Sequence, residues 1–312
     1  MSEHDKSTGP LEDAKVASRG KSRSTSPTKT PMYQAFHSSR YGRQALLRSI
    51  RERFGTPLIC YMSGIAALIS RDDTVFLVDL LHNLQRGCDL DLLLHTPGGD
   101  IDAAEKLILM LQTWVGKARL RVIVPDFAKS AGTLMALGSD RIVMSDASEL
   151  GPIDPQVILN DGRGNRIAHS VQTYLDAYEQ YAASLHKDPN DAVAKMMLSK
   201  LDPATLKLFE AVRDRARTLA EQLLNRGMFR TKAGNFTEIA GRLIDTKKWL
   251  AHGQMISYQD AKSMGLNIEY LAFSSEEWQA YWSVYCLQRL AVKDGEKLFE
   301  SEYASLQTDS SK

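Results

Sequence analysis

The chain has 312 residues, enough for one large or two small domains with a sizeable core. At 43% hydrophobic and 25% charged it fits neither a disordered chain nor a coiled coil, and 39 basic against 38 acidic residues remove the electrostatic argument for a nucleic-acid binder. Three widely spaced cysteines (Cys60, Cys88, Cys286) make neither a disulfide framework nor a zinc knuckle; with no signal-peptide stretch and no apolar run of about 18 to 20 residues, the expectation is a cytoplasmic protein without a membrane span.

Residues 1–36 combine Ser, Thr, Lys and Arg with Pro10, Pro27 and Pro31, and their apolar residues are scattered, so they read as a solvated tail. From Leu58 strand and helix alternate. Pro57-Leu58-Ile59-Cys60-Tyr61-Met62 is a short buried strand closed by Ser63-Gly64. Asp72 and Asp73 cap a helix with Val75, Phe76, Val78, Leu81 and Leu84 at helical spacing and Gly87 as its stop. Leu90-Asp91-Leu92-Leu93-Leu94-His95 is the next strand. Ile101, Ala104, Leu107, Ile108, Leu111 and Val115 mark an amphipathic helix after Gly98-Gly99-Asp100, followed by strand Leu120-Arg121-Val122-Ile123-Val124. A short helix from Ser130 and strand Arg141-Ile142-Val143-Met144 continue the series, which predicts an α/β core of parallel strands. Beyond Gly151, Val157-Ile158-Leu159 and Ile167-Ala168-His169 flank a turn-rich segment that reads as a hairpin or loop. Helical stretches at 171–186, 190–199 and 203–227 then suggest an arm or an interface. A final helix over 275–305 carries Trp278, Tyr281, Trp282 and Tyr285 as a stripe for packing or self-association.

Two turns lie where a parallel strand gives way to a helix, at the carboxyl edge of the sheet where α/β proteins place ligands. In His95-Thr96-Pro97-Gly98-Gly99-Asp100, two glycines after a proline let backbone N–H groups face a ligand, as an oxyanion hole requires; an ordinary tight turn has the same composition. In Pro125-Asp126-Phe127-Ala128-Lys129-Ser130-Ala131-Gly132-Thr133, a serine among small residues at a helix start fits a nucleophile, with the Ala131 N–H facing developing charge; a helix-capping serine fits too. The pair of turns, on successive strands, is far more specific than either one.

Residues 92–156, with His95-Thr96-Pro97-Gly98-Gly99, Ser130-Ala131-Gly132-Thr133, Asp140-Arg141-Ile142-Val143-Met144 and Leu150-Gly151-Pro152-Ile153-Asp154-Pro155-Gln156, resemble the serine dehydrogenase proteinase family. That family belongs to the Clp protease and crotonase superfamily and is related to signal peptide peptidase A. A weaker likeness reaches Ala261-Lys262-Ser263-Met264-Gly265-Leu266. The resemblance implies a Clp/crotonase-like core over 37–270, with a helical insertion at about 170–230 and a C-terminal helix over 271–312. It places Ser130 as nucleophile, with Gly98, Gly99 and Ala131 around the oxyanion hole. It further implies closed rings or stacked trimers of this chain acting on a peptide or protein substrate. The signal peptide peptidases resemble Ser-Gly-Gly at this turn, whereas here Ala131 follows the serine.

The proton acceptor is less defined. Clp-type proteases carry a histidine at a motif similar to Ile153-Asp154-Pro155-Gln156, and here that position is Asp154, a poor base at an ordinary pKa of about 4. Asp154 therefore orients another group or is structural. Signal peptide peptidases use a buried lysine, and Lys187 and Lys195 fall at comparable separations; His169 and His252 are further candidates, His252 lying in a Trp249-Leu250-Ala251-His252-Gly253 segment that resembles one in the family. No His, Cys or carboxylate cluster has metal-ligand spacing and no phosphate loop or dinucleotide fingerprint is present, so no cofactor is expected. The leading reading is a serine peptidase. A non-catalytic oligomeric scaffold or peptide-binding member of the same fold is the alternative, and acyl-CoA chemistry on the same oxyanion architecture a third.

Overall fold

The computed structural model describes residues 29–160, 164, 166–245, 248–249, 251 and 253–308. The chain divides at Ser38 into two units. The first contains α1 (Pro31–Phe36), which Thr30 caps and Pro31 opens, so the stretch read as tail ends in helix. Residues 1–28 of the expected tail lie outside the described residues.

In the second unit, α2 (Ser38–Phe54) precedes a βαβ unit of β1 (Leu58–Ser63), α3 (Asp73–Leu81) and β2 (Leu90–His95). The chain returns through α4 (Ile101–Val115) to β3 (Leu120–Ile123). In α4 the Asp100 carboxylate accepts the N–H groups of Asp102 and Ala103, Ala104, Leu107, Ile108, Leu111 and Val115 bury one face, and Gly116 ends the helix. Next come β4 (Phe127–Ala128), α5 (Ala131–Leu137), β5 (Arg141–Met144) and β6 (Glu149–Leu150). The antiparallel hairpin β7 (Gln156–Asn160) and β8 (Arg166–Ser170) leads into α6 (Val171–Lys187), α7 (Ala192–Leu198), α8 (Pro203–Arg226) and α9 (Phe236–Ile244). After these stand α10 (Tyr258–Ser263), β9 (Ile268–Tyr270), α11 (Glu276–Ala291), β10 (Lys297–Glu300) and β11 (Ser305–Gln307).

The main sheet has the order β11-β10-β1-β2-β3-β5-β9. β1, β2, β3, β5 and β9 are parallel, while β10 pairs antiparallel with β1 and β11 with β10. Parallel strands are covered on both faces, so alternate side chains enter two cores. Ile59, Tyr61, Leu92, Leu94 and Val122 join Leu107 of α4, Leu134 of α5 and Leu219 of α8. Leu58, Cys60, Leu93, Ile123 and Val143 join Leu47 of α2 and Trp278 and Tyr281 of α11.

Several expectations change. The last helix stops at Ala291, because Asp294-Gly295 reverses the chain and Leu298 and Phe299 then point to opposite faces of the sheet; the parallel core thus has an antiparallel edge of β10 and β11. Trp278, Tyr281 and Tyr285 are buried inside the chain and are not a free stripe for a partner. Aromatic side chains of this kind bury roughly 150–250 Å² each, on the order of 4–6 kcal/mol gross, so the fold itself uses the stripe. In α3 the buried face is Leu77, Leu80 and Leu81, whereas Val75 and Val78 are 71% and 52% exposed. The phase is set by Asp73, whose carboxylate is buried against Lys297 and does not cap the helix. The helical stretch after 170 splits: Val171, Leu175 and Phe209 form a satellite cluster, while Ala216, Leu219 and Leu223 in the second half of α8 join the main core. Among the described residues no helix is long and apolar enough to cross a membrane.

Candidate active site

Beyond the carboxyl ends of β2 and β3 the chain forms a layer of short pairings. Thr96 N–H donates to Phe127 O at 3.1 Å and Lys129 N–H to Thr96 O at 3.0 Å. β4 continues this layer by pairing with β6, and Leu150 exchanges two 3.0 Å hydrogen bonds with Ile256. On the other side of the diglycine turn, Ile69 N–H donates to Gly98 O at 2.8 Å and Asp100 N–H to Ile69 O at 3.0 Å. The two turns singled out in the sequence are thereby held side by side.

Ser130 has φ 50° and ψ −113°, and it is the one non-glycine residue with positive φ among the described residues. These angles match the first central position of a type II′ turn, closed here by Gly132 N–H donating to Lys129 O at 2.7 Å. Glycine normally fills that position. A side chain there is strained, and such strain gathers at functional sites because the surroundings must enforce it. The capping alternative is removed: the Ser130 hydroxyl makes no cap hydrogen bond to α5.

The diglycine turn packs onto this serine. A Cβ at Gly98, where φ is 106°, would lie 2.9 Å from Lys129 O and 3.0 Å from Ser130 Cβ, and one at Gly99 would lie 2.4 Å from Ile69 N. Both approaches are open only to glycine. Gly98 N–H donates to Thr96 Oγ1 at 3.2 Å, so Gly98 provides room and Gly99 is the better-placed donor. The bridge to Ile69 uses the flanking Gly98 O and Asp100 N–H, which leaves the Gly99 N–H on the side away from Ile69. Ala131 N–H opens α5, where no intrahelical acceptor exists. A hydroxyl on such a turn can add to a carbonyl, and backbone N–H donors nearby can bind the resulting oxyanion.

Around the turn, Thr133 is buried, with its hydroxyl 2.8 Å from both Ala128 O and Gly151 O, so it ties α5 to the Leu150-Gly151 segment. Lys129 was not singled out in the sequence. Its Nζ pairs with Glu149 at 3.1 Å and donates to Leu150 O, Gly253 O and Gln254 O at 3.3, 3.4 and 3.5 Å. The turn after His252 is thus fixed to the residue preceding Ser130. His252 itself lies outside the described residues, as does the His169 side chain, whose backbone pairs with Val157 in the β7–β8 hairpin.

Asp154 is buried and accepts the Ser170 hydroxyl at 2.9 Å, at the junction of the hairpin and α6. Lys187, at the end of α6, and Lys195, on α7, are exposed, without the burial that a lysine base requires. The structure does not bring these lysines into any described contact with the Ser130 turn. Among the described residues no group of three or more His, Cys, Asp or Glu side chains could hold a metal ion. A groove of about 590 Å³ between α6, α8 and α9, lined by Gln172, Asp176, Arg213 and Arg217 among others, includes none of the residues of the two turns.

His95, at the end of β2, packs against Phe127, three residues before Ser130. Its ring centroid is 4.0 Å from that of Phe127 and 5.2 Å from that of Tyr285. Its Nδ1 lies 3.9 Å from Asp126 Oδ2 with no hydrogen-bond partner, and Tyr285 OH donates to the same oxygen at 2.6 Å. Burial pushes the His95 pKa down to about 4, against the pull of Asp126 and with a smaller contribution from Arg289. The ring is therefore neutral at pH 7. The sequence has no signal that pairs His95 with Tyr285 on α11.

Comparison with known proteins assigns the chain to a family. The chain is 28% identical over 181 residues to the uncharacterized protein MJ0137 of Methanocaldococcus jannaschii, covering 58% of this chain and 53% of that protein. It is 34% identical over 121 residues to MJ1495 of the same organism, covering 36% and 41%. The chain thus spans about half the length of the curated relatives it matches, or less. Among solved structures, a serine-to-alanine variant of the 1510-N membrane-bound stomatin-specific protease has a TM-score of 0.28 at 16% identity, covering 70% of this chain and 98% of that one. ClpP1 from Listeria monocytogenes has a TM-score of 0.36 at 11% identity, covering 76% and 96%. The ClpP-like SDH-type serine proteinase family matches residues 64–270, which run from the end of β1 through β9 and hold both turns, and the chain belongs to that family.

Proposed function

We propose that this chain is a serine peptidase whose nucleophile is Ser130. The observation that carries the reading is the Ser130 backbone, a non-glycine residue at φ 50° packed on Gly98 with a hydroxyl that caps nothing. In the proposed reaction a base takes the Oγ proton as Oγ bonds to the substrate carbonyl carbon, and the N–H groups of Gly99 and Ala131 bind the oxyanion. Collapse breaks the C–N bond, and the base passes its proton to the departing amine. Water then adds to the acyl ester on Ser130, releases the acid and restores the hydroxyl.

Among the candidate bases, His252 has the best support, because Lys129, the residue before Ser130, binds the carbonyls of Gly253 and Gln254 through its side chain. Lys187 and Lys195 sit on the exposed helical arm, and Asp154 is engaged by Ser170. The proposal includes a cytoplasmic setting, supported by three free cysteines, and self-association, supported by the exposed apolar side chains Ile65, Leu68, Val75 and Val78.

A fluorophosphonate probe tests the reading. Wild type should be labelled at Ser130, and Ser130→Ala should abolish labelling and lower turnover by about 10⁶-fold with the fold intact. His252→Ala should lose turnover and Lys187→Ala keep it. A wild-type chain that neither labels nor cleaves peptides, yet binds them, would establish the scaffold reading instead.

A further inference from the structure

The diglycine turn has a second neighbour besides the serine turn, and it leads to the end of the sheet outside the family-matched span. Ile69 brackets Gly99 through its two hydrogen bonds to Gly98 O and Asp100 N–H, so the aim of the Gly99 N–H depends on where Ile69 stands. The next residue, Ser70, donates its N–H to Asp73 Oδ2 at 2.8 Å, with its hydroxyl 3.2 Å from Asp73 Oδ1. Asp73 is 1% exposed and also accepts Tyr61 OH at 2.6 Å. Its counter-charge is Lys297 of β10, 7% exposed, whose Nζ lies 2.6 Å from Asp73 Oδ1 and 3.2 Å from Ser70 Oγ. The other end of the same segment is held by the turn before β10: Gly64 N–H donates to Glu296 O and Ala66 N–H to Asp294 O, each at 2.8 Å.

A buried ion pair is weak as a source of stability, since apolar residues of similar volume often serve as well. What it supplies here is direction: an ammonium with two fixed acceptors holds Asp73 and Ser70 in one arrangement, and Ile69 follows. Resting on the peptidase reading above, we propose that Lys297 is a positioning residue for the oxyanion hole, acting through Asp73, Ser70 and Ile69 to aim the Gly99 N–H at the space before Ser130 Oγ. Lys297 lies beyond residue 270, where the family match ends.

The test is the kinetics of fluorophosphonate inactivation, with the limiting rate constant separated from the reversible binding constant. An oxyanion donor acts on the transition state, and losing one costs about 10²- to 10³-fold, so mis-aiming one by Lys297→Met should lower the limiting rate about tenfold with binding unchanged within twofold. Arg43→Met is the control: it breaks a comparably buried pair with Glu300 on the same strand, unconnected to Ile69, and should lower the melting temperature while leaving the limiting rate within twofold. If Lys297→Met fails to fold, the charge-neutral pair Asp73→Asn/Lys297→Met carries the same expectation. A limiting rate within twofold of wild type for the folded Lys297 variant, or an equal fall in Arg43→Met, overturns the inference alone. A wild-type chain that takes no label at Ser130 overturns the peptidase reading and this inference with it.

Discussion

Ser130 concentrates the cost of the site in one residue. At φ 50° a Cβ is unfavourable and glycine is not, so Ser130→Gly should be more stable than Ser130→Ala by about 1 kcal/mol, although glycine at an ordinary helix start has no such advantage over alanine. Urea unfolding of the two variants measures the difference; equal stability would mean the turn relaxes without a nucleophile. His95 gives the site an acid limit. Its folded pKa of about 4 lies below the usual value of about 6.5, so between these values the unfolded chain binds a proton that the folded chain does not. Stability should therefore fall as pH drops through that window, by about 3 kcal/mol over its full span. Urea midpoints at pH 7 and pH 5 check this, and His95→Gln should flatten the slope.

At the scale of elements, Lys129 links two chain segments, at 149–150 and 253–254, to the strand that leads into Ser130. Lys129→Met would remove one part-buried donor from the carbonyls of Leu150, Gly253 and Gln254 and from the Glu149 carboxylate, a loss on the order of 1–3 kcal/mol. Hydrogen exchange should speed up at residues 253–255 while α4 keeps its protection; unchanged exchange there would remove Lys129 from this role. Nothing local in the sequence marks it, because its partners lie at 149, 150, 253 and 254. By contrast, α4 was legible from Asp100 to Gly116, since its cap, apolar period and stop all lie within one short stretch of sequence. Ser130 and the glycines were legible because small residues at a strand-to-helix turn are a local pattern. β10 was not: a four-residue strand buried on both faces has no period to read, and the preceding helix runs into it in a uniform mix of apolar and charged residues.

For the whole molecule, the case for assembly moves away from the aromatic stripe, which α11 buries, to Val75 and Val78 on the outside of α3. The chain should sediment as an oligomer at micromolar concentration, and Val75→Lys/Val78→Lys should shift it toward monomer with its melting temperature preserved. A monomeric wild type would end that reading. The antiparallel register of Ser63 with Lys297 also bears on biosynthesis. β1 must wait for a partner more than two hundred residues downstream, a non-local pairing of the kind that slows folding. A nascent chain on the ribosome can form the strands that carry Ser130 and the diglycine turn long before β10 emerges, yet Lys297 cannot reach Asp73 until then. A chain released before β10 emerges would thus hold the Ser130 turn without the support that Lys297 gives through Asp73.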